Sequence, residues 1–99
     1  MRVIAIKRLK DFWEQPKYSD SEQMLKAWYI EAKHANWGTP QDIKDRYRTA
    51  SFLMDNRVVF NIHGNKYRLI IHVNYRCQTV YIRYIGTHKQ YDAIDARTI

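Results

Sequence analysis

The chain has 99 residues, 45% apolar and 14% aromatic, with 17 Lys and Arg against 10 Asp and Glu, a formal charge of +7. That length supports one packed domain over 1–99 rather than two, and the aromatic content excludes a disordered chain. The positive surplus points to an acidic partner (nucleic acid, an anionic membrane or an acidic protein), and no apolar run approaches the ~20 residues that cross a bilayer.

Arg2 to Ile6 reads as a short strand, with Val3, Ile4 and Ile6 apolar. Leu9, Phe12 and Trp13 then fall at helical spacing, which predicts a helix over Lys7 to Glu14 that Pro16 ends. Ser19 and Glu22 form a capping-box pattern expected to open a second helix. Its apolar stripe is Met24, Leu25, Trp28, Ala32 and Ala35, and Gly38 lies past its end. Thr39-Pro40 reads as the N-cap and first position of a short third helix running through Ile43 and Tyr47. From Arg57 the period changes to two. Strands are expected over Arg57–Ile62, Tyr67–Tyr75 and Val80–Gly86, joined by His63-Gly64-Asn65-Lys66 and by a turn near Arg76–Thr79. Thr87 and Gln90 repeat the capping-box pattern before a short C-terminal helix.

Alternation sorts these strands into two faces. Val58, Phe60, Ile62, Leu69, Ile71, Val73, Val80, Ile82 and Tyr84 form an apolar face that should receive the two N-terminal helices. Arg57, Val59, Asn61, Arg68, Ile70, His72, Tyr81, Arg83 and Ile85 form the other, expected to face solvent. Four-residue loops would set Asn61 opposite Arg68 and His72 opposite Arg83. The fold class is therefore α+β, two N-terminal helices packed on one face of a small, mostly antiparallel sheet. The charge is concentrated too: Lys44 to Lys89 holds nine basic residues against Asp45 and Asp55, which accounts for the whole surplus.

Cys77 is the single cysteine, so an internal disulfide and the usual zinc-finger patterns are excluded. With no secretory signal at MRVIAIKRLK, a cytoplasmic location is expected. His34, His63, His72 and His88 are scattered with no metal-ligand spacing, so neither metal nor cofactor is expected.

The stretch Arg57-Val-Val-Phe-Asn-Ile-His-Gly-Asn-Lys-Tyr-Arg-Leu-Ile-Ile71 is similar to a segment of the HigB family. So is Val80-Tyr-Ile-Arg-Tyr-Ile-Gly-Thr-His-Lys-Gln-Tyr-Asp92, and the N-terminal helices fit as well, including Ala27-Trp28-Tyr29. The resemblance implies a RelE-like fold and a toxin that cleaves messenger RNA, usually on the translating ribosome. It also implies neutralisation by a HigA-like helix-turn-helix antitoxin, with operator DNA reached only through the toxin–antitoxin complex.

Metal-free RNA cleavage needs a base for the 2′-OH, an acid for the departing 5′-oxygen and cations for the phosphorane-like transition state. His88 is the candidate acid or base, because imidazole titrates near neutrality. Tyr91, three residues on, could stack on a base or donate a proton. Arg68 and Arg83 could bracket the scissile phosphate with planar guanidinium forks, and Lys66 could hold a neighbouring phosphate as a point charge. Asn61, Arg57, Asn65, Lys44 and Arg48 are candidate RNA contacts. Two other readings use the same residues: a non-catalytic RNA-binding module and a DNA-binding regulator. The basic excess lies on strands, whereas a helix-turn-helix regulator would carry it on a recognition helix.

Overall fold

A computed structural model describes residues 1–99. Its elements in chain order are β1 (Arg2–Ile4), α1 (Lys7–Trp13), a 3₁₀ segment (Pro16–Ser21), α2 (Glu22–His34), α3 (Pro40–Arg46), β2 (Ser51–Phe52), β3 (Arg57–Ile62), β4 (Tyr67–Asn74), β5 (Thr79–Thr87) and α4 (His88–Asp92). The strands form one sheet in the order β1-β5-β4-β3-β2. Every pairing is antiparallel except β1 with β5, which is parallel. The architecture is α+β, as the alternating periods predicted.

Helix starts and stops obey local chemistry. Thr39 caps α3: its hydroxyl accepts from the Asp42 amide, and the Asp42 carboxylate accepts from the amides of Thr39 and Gly38. The capping box expected at Ser19 is absent. Pro16 starts a 3₁₀ turn that runs straight into α2, and the Ser19 hydroxyl donates back to the Pro16 carbonyl. Ser21, already in helical conformation, supplies no side-chain cap. β2 escaped sequence reading because its pairing is only two residues long. Asp55 and Asn56, both in the left-handed region, turn it back onto β3.

Leu9, Phe12 and Trp13 from α1 and Leu25, Trp28 and Ala32 from α2 are buried against Val58, Phe60, Leu69, Ile71, Val73, Val80 and Ile82. Trp28 meets Phe60 edge-on at 5.6 Å between ring centroids. Truncating either ring to Ala costs about 3–5 kcal/mol in such settings. Met24 does not join this core: it is 50% exposed on the outer side of α2.

The sheet departs from simple alternation at one place. Ile70 pairs with Tyr84, but Ile71 pairs with Ile82, so Arg83 is the extra residue of a β-bulge. Its carbonyl, pushed out of the ladder, accepts from the Arg8 guanidinium at 3.3 Å. The bulge reverses the facing of the next two residues: Ile85 packs with the main core, and Tyr84 turns to the opposite side. This corrects the expected positions of both. It also corrects the register, because the β4–β5 turn begins at Tyr75 and His72 pairs with Tyr81 instead of Arg83. Asn61 does lie opposite Arg68, as the four-residue hairpin predicted.

The second face of the sheet is not the open surface that sequence suggested. Residues 93–99 cross it, and Ala96 is buried with Val59 and Ile70, flanked by Leu53, Tyr84, Tyr91, Ile94 and Ile99. Two apolar residues on this face, Val59 and Ile70, required a cover, and the C-terminal segment supplies it. The border of that cover stays accessible.

Candidate active site

The first part of the site is α4. Thr87 caps it: the hydroxyl accepts from the Gln90 amide at 3.1 Å, and the Gln90 side-chain oxygen accepts from the Thr87 amide at 2.8 Å. This predicted capping box fixes His88 at the first helical position. His88 is half exposed, with Nδ1 3.2 Å from an Asp92 carboxylate oxygen one turn on. The carboxylate lies on the Nδ1 side of the ring, so Nε2 is the nitrogen away from it. The His88 amide donates to the Lys66 carbonyl at 3.2 Å, which ties α4 to the β3–β4 hairpin.

Tyr91 is half-buried beside the C-terminal cover, and the Arg68 guanidinium lies over its ring, 5.2 Å from the centroid. A guanidinium stacked on an aromatic face is held in plane by attraction to the ring quadrupole. Arg68 Nε is buried with no acceptor in the protein, so this side chain keeps hydrogen-bonding capacity unused. Across the ladder from Arg68 is Gly86, which sequence reading did not single out. A Cβ there would lie 2.5 Å from the Tyr84 hydroxyl and 2.8 Å from the Gln90 side-chain oxygen, so only glycine leaves room for both.

At the hairpin tip, Lys66 is not the free cation that was expected. Its ammonium pairs with the Asp20 carboxylate, which also accepts from the hydroxyl of Tyr67. His63 Nε2 is 3.7 Å from the same carboxylate. The hydrogen bonds from Lys66 and Tyr67 hold the Asp20 carboxyl below its ordinary range, and the Asp20 bond raises Lys66 in turn. Asp20 lies 46 residues from Lys66 in the chain, and nothing in local spacing announces the pair.

Arg83 stands apart. The bulge sets it over Tyr81, with its Cζ 5.6 Å from that ring centroid, beside His72, and not next to Arg68. Burial, with Arg83 and Arg57 nearby, holds the His72 imidazole below its ordinary range. The expected Arg68–Arg83 bracket is therefore absent, replaced by two separate stations on the same side of the sheet. Arg57 is occupied structurally: its Nε donates to the Ile99 carbonyl at 3.1 Å, and its side chain is only 15% exposed. Lys44 is occupied as well, donating to the Ala50 carbonyl at 2.8 Å. Asn65 and Arg48 are exposed, and Asn61 is half-buried beside Arg68 on the adjoining strand.

The largest surface hollow, about 730 Å³, is on the other side of the molecule between α2 and the loop after it, lined by Ala27, Ile30, His34 and Trp37 among others. It holds none of the groups just described. No set of three or more His, Cys, Asp or Glu side chains is placed to hold a metal ion. No helix is long and apolar enough to cross a membrane. Around α4 an imidazole with a carboxylate beside it, an aromatic face and a guanidinium lie along one border of the sheet.

Residues 21–94 match the family described as HigB_toxin, RelE-like toxic component of a toxin-antitoxin system. Among curated proteins, the mRNA interferase toxin HigB of Escherichia coli (strain K12) is 32% identical over 98 residues, which span 97% of this chain and 92% of that protein. The mRNA interferases HigB of Escherichia coli O157:H7 and Shigella flexneri match with the same identity and coverage. On the strength of a match across most of its length, and of relatives aligned almost end to end, the chain belongs to the HigB toxin family.

Proposed function

We propose that this protein is a metal-independent endoribonuclease that cleaves messenger RNA on translating ribosomes in the cytoplasm and is neutralised by a HigA-like helix-turn-helix antitoxin. The observation that carries the reading is the seating of Arg68 over Tyr91 at the border where α4 presents His88. The names of the curated relatives, all mRNA interferases, support the substrate class.

In this mechanism the ribose 2′-oxygen attacks the adjacent phosphorus and the bond to the 5′-oxygen breaks. The products are a 2′,3′-cyclic phosphate and a 5′-hydroxyl. His88 exchanges the proton through Nε2 while Asp92 stabilises the imidazolium, a role of about 10²–10⁴ in rate. Arg68 places its fork on the phosphoryl oxygens as charge develops there, worth about 10²–10³. Tyr91 is the second proton-transfer group or the platform for a base. Asn61 orients Arg68 from the paired position on β3, and Arg83 with Tyr81 meets RNA beyond the reacting phosphate.

The test is to incubate purified protein with translating ribosomes and a defined message, then map new ends and their chemistry. New 5′-hydroxyl ends matched by cyclic phosphates are expected, and they should disappear in His88→Ala and Arg68→Ala proteins that remain folded. Binding without cuts would instead make this chain an RNA-binding module. Co-expression of a HigA-like antitoxin should relieve growth arrest, which tests the partner separately.

A further inference from the structure

Asp20 belongs to none of the roles above, yet two donors bond to its carboxylate and an imidazole stands beside them. Lys66 Nζ approaches one carboxylate oxygen, with His63 Nε2 at 3.7 Å from that same atom, and the Tyr67 hydroxyl donates to the other. Tyr67 cannot shift with a moving partner. It is fully buried, its ring edge-on to Phe12 at 5.3 Å and to Tyr18 at 6.0 Å. An ammonium and a fixed phenol on the two oxygens of one anion, with an imidazole within reach of a slightly larger group, are donors that a phosphate can also use.

The geometry points to a phosphate subsite at the tip of the β3–β4 hairpin, occupied in the free protein by the Asp20 carboxylate and taken over by an RNA phosphate on binding. This rests on the reading of the protein as an RNA-cleaving toxin. The subsite adjoins the reaction centre, because the Lys66 carbonyl accepts from the His88 amide. A phosphate held there is a neighbour of the scissile one. The exchange is facile: the Asp20 side chain is 37% exposed, so the displaced carboxylate moves into water, and exposed ion pairs are weak. The hairpin tip is shaped for close approach as well. His63 and Gly64 take left-handed backbone at φ 55° and 65°, and no atom lies within 4 Å of where a Gly64 Cβ would be.

The experiment measures binding of a non-cleavable 2′-O-methyl RNA by wild type, Asp20→Asn, Lys66→Met and the double variant across a salt series. Asparagine keeps an acceptor for Tyr67 and removes the competing charge. Asp20→Asn should bind roughly two- to fivefold tighter, the strength of one exposed ion pair given up on binding. Lys66→Met should make the salt slope shallower by about 0.7, one phosphate contact on a single strand, and should abolish the gain from Asp20→Asn. Unchanged or weaker binding by Asp20→Asn, or an unchanged slope in Lys66→Met, overturns the subsite. Thermal melts of all four proteins exclude misfolding as the cause. Cleavage of unmodified message is scored in parallel. Binding as described without cutting refutes the nuclease and leaves the subsite standing, whereas cutting without these binding changes does the reverse.

Discussion

Replacing Gly86 by Ala puts a methyl group at the most crowded point of the site. The new Cβ would lie 2.5 Å from the Tyr84 hydroxyl, 2.8 Å from Tyr84 Cζ and 2.8 Å from the Gln90 side-chain oxygen. Both neighbours are the far ends of side chains, so something can move. Each has a reason to stay, however. Tyr84 packs with the cluster under the C-terminal segment, and the Gln90 oxygen completes the cap on α4. Overpacking of this kind costs about 1–3 kcal/mol, and loss of half a capping box adds to it. Against this stands the ~0.4–1 kcal/mol that Gly→Ala gains by restricting the unfolded chain. The net expectation is a loss of about 1–2 kcal/mol, which in a domain of this size lowers Tm by roughly 4–15 °C. Calorimetry reads the stability, and end mapping on message reads the consequence for His88 and Tyr91, which ride on α4. Combining Tyr84→Phe with Gly86→Ala should restore only part of the loss, because Cζ still crowds the methyl. A Gly86→Ala protein as stable and as active as wild type would refute the packing argument and the dependence of the site on the α4 cap.

The same geometry sets other expectations. Arg57→Ala removes the bond to the Ile99 carbonyl and should cost about 1.5–3 kcal/mol, with faster proteolysis of residues 93–99 than of the rest. Arg68→Ala should lower cleavage by about 10²–10³, whereas Arg83→Ala, on its separate station with Tyr81, should act mainly on KM by about tenfold or less. The amides of Gly38 and Thr39 hold the Asp42 carboxyl below its ordinary range. Its contribution is complete above the unfolded carboxyl value of about 4 and is lost as pH falls through the folded value, so Asp42→Asn should flatten the acid limb of stability against pH. His72 has the same sense at higher pH: burial depresses its folded value, so protonation opposes folding as pH drops below about 6.5. Replacing it by Gln should remove that dependence.

Much of this fold was written in local chemistry. Thr39-Pro40 and Thr87 with Gln90 named two helix starts correctly, because a cap depends on residues three apart. The change of period at Arg57 located three strands within about two residues, and the hairpin at His63–Lys66 set the Asn61–Arg68 pair. The capping box expected at Ser19 failed locally, where Pro16 starts a 3₁₀ turn that runs into α2, but the other errors at the site involve distant partners. A bulge at Arg83 depends on how β4 and β5 fit around α1, where Arg8 takes the displaced carbonyl, and alternation alone cannot show an inserted residue. The cover over Val59 and Ile70 was foreshadowed by these apolar residues on the face expected to meet solvent, a signal that pointed to a lid without naming it. Lys44, Arg57 and Lys66 read as free cations because their acceptors, Ala50, Ile99 and Asp20, lie beyond the reach of any helical or strand period. For the candidate site, then, sequence identified the residue types and the elements bearing them, but not which cations were already engaged.

The parallel pairing of β1 with β5 has a consequence for how the protein comes into being. β1 has no place in the sheet until its parallel partners, residues 79–81, have been made. Closing a loop of that length is the slow, late kind of step in folding. α4 comes directly after β5, so the His88 turn lies beyond the strand that β1 needs. A chain truncated before β5 keeps Arg68 but lacks both the strand that β1 pairs with and the α4 turn bearing His88 and Tyr91, so neither the sheet nor the proposed site is complete.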